Sequence, residues 1–155
     1  MRIVNYGDEP FKKSSQKGNE KMINIRKAKK EDIKFLVEID KEANKEIKWW
    51  KPLAKKEFLK FLTKNNCLYV AAENHKIIGY QSAKMKENTL MLEDLYVKTE
   101  FRNKKIATSL IEKIILDNKK SKINQIQFNC PERLRRFYEK LGFRVSSLVM
   151  RIKIK

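Results

Sequence analysis

Two stretches of the chain hold residue types that can do chemistry together. The first is Leu92 to Ala107, LEDLYVKTEFRNKKIA, which carries the adjacent carboxylates Glu93 and Asp94 and then the bases Arg102, Lys104 and Lys105. A carboxylate held within one water of an amine can take its proton. An apolar strand that runs through a short basic loop into a helix presents unpaired backbone N–H groups and the positive end of the helix dipole, a natural seat for a pyrophosphate. The second stretch is Asn129 to Phe143, NCPERLRRFYEKLGF, which supplies an amide, a thiol at Cys130 and a phenol at Tyr138. Alternation along a strand places Asp94 on the face opposite Glu93, where a structural pairing is expected. Trp49 and Trp50 either line an acceptor pocket or cap the end of a helix, Cys130 reads as an inert thiol, and His75 sits in a turn and is not read as a ligand.

The elements that must position these groups follow from the spacing of apolar residues. Ile23 and Ile25 alternate with polar neighbours as in a strand. Ile33, Leu36, Val37, Ala43 and Ile47 have helical spacing, with Glu31 and Asp32 at the start where acids favour the dipole. Phe58, Leu59, Phe61 and Leu62 suggest a second helix. Leu68–Glu73, Lys76–Met85 and Leu90–Val97 read as three strands, the first two joined by an Asn74-His75 turn. A long helix is expected over Arg102–Lys119, a strand around Ile126 and Phe128, a short helix over Pro131–Lys140 stopped by Gly142, and a last strand over Val149–Ile154. Hairpins followed by a β-α-β crossover predict an α/β chain: a mixed, mostly antiparallel sheet with helices on both faces.

At 155 residues the chain reads as one domain over 22–155, preceded by a polar, breaker-rich segment 1–21 expected to be a mobile arm. With 41% hydrophobic and 10% aromatic residues it has the composition of a globular protein. No apolar run approaches the roughly 18 residues of a membrane span, so no membrane association is expected. An N-terminus without an apolar core segment is not a secretory signal, which points to the cytoplasm and to reduced thiols at Cys67 and Cys130. Two cysteines make neither a disulfide framework nor a zinc site, and no metal is expected. The net charge is +18, and residues 102–155 alone hold fifteen bases against four acids. Such a field attracts anions, whether a phosphorylated small molecule or nucleic acid.

Taken together, the two stretches resemble the GNAT superfamily of N-acetyltransferases. Its cofactor loop reads Q/R-x-x-G-x-G/A, and here stands Arg102-Asn103-Lys104-Lys105-Ile106-Ala107, matching at Arg102 and Ala107 and departing at Lys105, which replaces a glycine. Its later helix often ends F-Y-E-K-L-G-F, which Phe137 to Phe143 match in full, after a matching Asn129. The strand Leu92–Val97 is also similar to the polyamine-acetylating branch. The resemblance implies acetyl-CoA as co-substrate and an amine as acceptor. It implies that the backbone of Tyr96 and Val97 binds the acetyl carbonyl and pantetheine arm, and that N–H groups across Arg102, Asn103, Lys104, Lys105, Ile106, Ala107 and Thr108 cradle the pyrophosphate. Asn129 would contact the cofactor from the neighbouring strand, Tyr138 would protonate the leaving thiolate, and Glu93 would accept the amine proton through water.

Two functions are thus carried forward. One is an N-acetyltransferase of a primary amine, in a small molecule, a polyamine or a protein. The other is a catalytically degenerate relative that binds nucleic acid or another polyanion through its basic third, motivated by Lys105 at a glycine position and by the +11 charge of residues 102–155. Homodimerisation stays open.

Overall fold

The computed structural model describes residues 2–3, 23–63, 66–119 and 121–147. Its strands are β1 (Arg2–Ile3), β2 (Ile23–Lys27), β3 (Asn66–Glu73), β4 (Lys76–Lys86), β5 (Thr89–Val97) and β6 (Gln125–Gln127). Its helices are α1 (Ile33–Glu46), α2 (Lys55–Lys60), α3 (Ile106–Asn118) and α4 (Arg135–Lys140), with single 3-10 turns ahead of α1, α3 and α4. The expected order of elements holds from β2 to α4. The strand expected over Val149–Ile154 lies outside the described residues, as does most of the segment 1–21.

Strands β2, β3, β4 and β5 form an antiparallel run. The β3–β4 hairpin turns at Asn74 and His75, both in the left-handed region at φ 48° and 65°, as the tight turn that matches strand twist requires. The free edge of β5 is shared by two short parallel strands. β6 pairs with Thr89–Met91, and β1 pairs further along, Arg2 opposite Asp94 and Ile3 opposite Leu95. Nothing in the apolar pattern of residues 1–21 points to that first strand.

Helices cover both faces. Tyr80 of β4 donates its hydroxyl to Asp40 of α1 at 2.5 Å and meets Phe58 of α2 edge-on at 5.6 Å. On the other face, Tyr69 of β3, opposite Gln81, donates to Asp117 of α3 at 2.9 Å. Ile33, Leu36, Ile39 and Ala43 bury the inner stripe of α1, and Ile106, Leu110, Ile111 and Ile114 that of α3. At the start of α1, Asp32 accepts the Lys29 N–H at 2.7 Å and a two-pronged bond from Arg26 at 2.6 and 2.9 Å. The Arg26 guanidinium and these hydrogen bonds outweigh burial and hold the Asp32 carboxyl below the usual range.

Helix α4 ends as its sequence requires. Gly142 has φ +88°, its N–H donates to Glu139 O, and Phe143 N–H reaches Tyr138 O, the paired bonds of a Schellman stop. Helix α3, by contrast, begins at Ile106, four residues later than the sequence suggested, because Lys105 ahead of it is left-handed. Among the described residues no helix is long and apolar enough to cross a membrane.

Candidate active site

Strand β5 organises two neighbouring features. One is a cup at its C-terminal end, lined by Val97, Phe101, Arg102, Asn103 and the start of α3 from Lys105 to Ala107. The other is an open cleft of about 530 Å³ against the sheet.

The cup is shaped by two left-handed residues, Asn103 at φ 62° and Lys105 at φ 58°. Lys105 therefore adopts the conformation that the glycine of the motif would supply. The turn survives the substitution, and the Lys105 side chain is exposed. Ser109 N–H makes the first-turn bond back to Lys105 O at 2.9 Å. The amides of Ile106 and Ala107 precede it, at the helix end where N–H groups have no carbonyl four residues back. Lys104 lies over the Phe101 ring at 4.9 Å.

Arg102 lines the cup, and its side chain is committed to protein groups. Its guanidinium grips Glu46, the last residue of α1, at 2.6 and 2.7 Å, and its Nε donates to Val97 O at 3.1 Å. Glu46 also accepts from Tyr96 Oη at 3.3 Å and Thr99 Oγ1 at 3.2 Å. The Arg102 hydrogen bond is the chief reason the Glu46 carboxyl sits below its ordinary range. Burial, reinforced by the Glu46 charge, pushes the Tyr96 phenol well up. Of the three loop bases expected to face an anion, Arg102 is thus neutralised and acts as a strut tying α1 to β5 and the loop. Glu46 was not foreseen. An acid in the last turn of a helix opposes the dipole, and that misplacement was the available signal.

The cleft is lined from the sheet by Lys84, Glu93 and Asp94, and from the helical side by Trp49, Lys51 and Lys60, among others. Both carboxylates face it, which corrects the expectation for Asp94. The β4–β5 register shifts between Gln81–Leu95 and Ala83–Leu92, so Ser82 alone stands opposite both Glu93 and Asp94. This bulge interrupts the alternation, and Ser82 Oγ accepts the Asp94 N–H at 3.0 Å. Glu93 is half-exposed and pairs with Lys84 at 3.6 Å, whereas Asp94 is buried. The two tryptophans divide the roles left open for them. Trp49 is 58% exposed and lines the cleft, while Trp50 is buried and donates to Asp40 at 2.6 Å. Asp40 also accepts the Leu53 N–H at 2.5 Å, so one buried carboxylate fixes the α1–α2 connection that forms the cleft's helical wall.

Tyr138 lies at the other end of the site's sequence. It is 2% exposed, with its ring 4.3 Å from that of Phe128 and perpendicular to that of Phe143. Asn129 and Cys130 are exposed in the connection after β6. Neither Tyr138 nor Asn129 lines the cup or the cleft. Partial desolvation, with the Glu132 charge adding to it, raises the pKa of the Cys130 thiol.

Comparison with known proteins agrees with this arrangement. No curated protein sequence matches the chain. Its fold is similar to that of glucosamine-6-phosphate N-acetyltransferase from Arabidopsis thaliana, at 18% identity and TM-score 0.68, covering 86% of this chain and 99% of that one. It is also similar to an aminoglycoside acetyltransferase from an uncultured soil sample, at 16% identity and TM-score 0.66, covering 86% and 97%. A GNAT-family acetyltransferase from Staphylococcus aureus Mu50 shares 24% identity at TM-score 0.68, covering 79% and 85%. The model of the acetyltransferase (GNAT) domain matches residues 36–151, three quarters of the sequence, and the chain therefore belongs to the GNAT acetyltransferase family.

Proposed function

We propose that the protein is an acetyl-CoA-dependent N-acetyltransferase of a primary amine. The observation that carries this reading is the position of the cup and the cleft on one strand: an amide-lined helix start follows Val97, and two carboxylates stand a few residues earlier at Glu93 and Asp94. The residues of the cup suit a pyrophosphate. The amides of Ile106 and Ala107, the two left-handed turns and the lysines at 104 and 105 offer N–H groups and positive charge. When bound, acetyl-CoA supplies an activated acetyl group.

The chain's residues then have defined tasks. An alkyl ammonium has a pKa near 10.4 and cannot attack until it loses a proton; Glu93 takes that proton through a water. The backbone of Tyr96 and Val97 orients the acyl arm, Asn129 supports it, and Tyr138 returns a proton to the sulfur. In balance, the amide C–N bond forms as the thioester C–S bond breaks, one proton leaves the nitrogen and one arrives at the thiolate. Arg102 and Glu46 hold the loop rather than the ligand. The left-handed Lys105 weakens one of the two motives for the degenerate, polyanion-binding reading, since the loop keeps its turn without glycine; the basic third is the other. The neighbours named for amino sugars support a small-molecule acceptor, and the Leu92–Val97 strand leaves a polyamine in the comparison.

The test is a thermal shift with acetyl-CoA followed by thiol release with a panel of amines. Ligand at 100 times its Kd should add about 2.7 kcal/mol of stability. No shift at millimolar acetyl-CoA, with a shift on RNA or DNA, would reverse the order of the two readings.

A further inference from the structure

The bulge in β5 is clamped from both faces of the sheet. Tyr80 of β4 reaches α1, so alternation puts Ser82 on that face, with the cleft, and Gln81 on the other. Gln81 stands opposite Tyr69, whose hydroxyl reaches α3. From the cleft face, Ser82 Oγ accepts the Asp94 N–H at 3.0 Å. From the α3 face, Gln81 Nε2 donates to Ser82 O at 2.8 Å and to Asp94 O at 3.1 Å. Both side chains are fully buried. Where the β4–β5 ladder shifts register, two side chains thus take up backbone groups that a regular ladder would pair.

The Gln81 amide is held there for its donors. Turned over, Oε1 would face two carbonyl oxygens, so those carbonyls fix its orientation. Oε1 is then buried with no hydrogen-bond partner among the described residues. A hydrocarbon side chain of similar size would spare that orphaned acceptor, so packing alone does not account for a glutamine at this position.

The bulge matters to the site because it breaks the alternation of β5. With it, Glu93 and Asp94 both line the cleft. A regular ladder would turn one of the two toward α3. We propose that Ser82 and Gln81 are positioning residues for the acetyl transfer: by clamping the bulge from its two faces, they hold the Glu93 carboxylate in the cleft where it takes the amine proton. Neither residue lines the cup or the cleft. This inference rests on the acetyltransferase reading and extends its machinery to residues that touch no ligand.

The experiment uses the full chain, thiol release at saturating acetyl-CoA, and the better acceptor of glucosamine and spermidine. Ser82→Ala removes the acceptor of the Asp94 N–H, Gln81→Met removes both donors, and Ser82→Thr keeps the oxygen. Ser82→Ala and Gln81→Met should each lower kcat/KM for the amine about tenfold at pH 6.5, a fraction of what a general base contributes. The Kd of acetyl-CoA, by calorimetry, should stay unchanged. The deficit should shrink as pH rises through the pKa of the amine, because a neutral amine needs no base. Ser82→Thr should keep most of the wild-type rate. In a Glu93→Gln background, Ser82→Ala should cost nothing further, since a residue that acts through Glu93 then has nothing to position. Melting temperatures above the assay temperature show which variants are folded, and either Ser82→Ala or Gln81→Met alone decides the question. The inference is overturned if kcat/KM is unchanged, if the deficit is the same at every pH, if it persists in full in the Glu93→Gln background, or if neither amine is acetylated. The acetyltransferase reading fails separately, by the absence of a melting shift with acetyl-CoA alone.

Discussion

Lys105 allows the backbone and the charge of the cup to be separated. Its φ of 58° places a residue with a Cβ where the motif has glycine. A left-handed conformation costs a residue with a Cβ roughly 1–2 kcal/mol. Lys105→Gly removes that strain but gives the unfolded chain more freedom, which costs about 0.5–1 kcal/mol. The net expectation is a gain of about 0.5–1 kcal/mol, or a rise in Tm of about 1–4 °C for a chain of this length. Lys105→Ala keeps the Cβ and should leave Tm where it is. Both variants remove the same exposed ammonium, so both should weaken acetyl-CoA by the same modest factor, about two- to fivefold at low salt, shrinking as salt screens the charge. Scanning fluorimetry gives Tm, and calorimetry at two salt concentrations gives Kd. Equal Tm for the Gly and Ala variants would refute the strain argument. Tighter acetyl-CoA binding by Lys105→Gly would show that the lysine obstructs the loop.

Three further outcomes are expected. Glu46→Gln breaks a two-pronged ion pair whose Arg102 side chain is 13% exposed and should cost about 1–2 kcal/mol at pH 7; because the folded Glu46 carboxyl titrates below its unfolded value, the wild-type advantage is present above pH 5 and is lost as pH falls through the folded pKa, so urea midpoints of the two proteins should converge in acid. Gly79→Ala puts a Cβ 2.9 Å from Tyr96 O and 3.0 Å from Val97 Cγ2, which should push β5 outward, cost about 1–3 kcal/mol and raise the KM for acetyl-CoA; an unchanged KM would detach Tyr96 and Val97 from the acyl arm. Tyr138→Phe should lower kcat by roughly 10²–10⁴ with little change in acetyl-CoA affinity, measured in the thiol-release assay, and a wild-type kcat would leave Tyr138 as packing against Phe128 alone.

What could be read from the sequence was what short-range rules control. Alternation marked β2, the Asn74-His75 pair marked the β3–β4 hairpin, and Gly142 marked the stop of α4, since each depends on residues within one or two turns of chain. The family motifs located the cup and its lysines for the same reason. The bulge at Ser82 was not legible, because a strand without glycine gives no sign that two residues will share one partner, and Asp94 was assigned to the wrong face as a result. Glu46 and Asp40 were passed over because their partners are distant: Arg102 is 56 positions from Glu46, and Tyr80 is 40 from Asp40. Asp40 nevertheless left a trace, an acid within the apolar stripe of α1 between Leu36 and Ala43. The start of α3 shifted because Lys105 is a good helix former by composition and left-handed by context.

The two-residue strand β1 makes the edge of β5 a place of exchange. It is held by two residue pairs, Arg2 with Asp94 and Ile3 with Leu95, against a full antiparallel ladder on the other side of β5. Its pairing ends at Leu95, one residue before Tyr96. A ligand that needs the β5 backbone there has a two-residue ladder beside it, at about 1 kcal/mol per hydrogen bond, and not the body of the sheet.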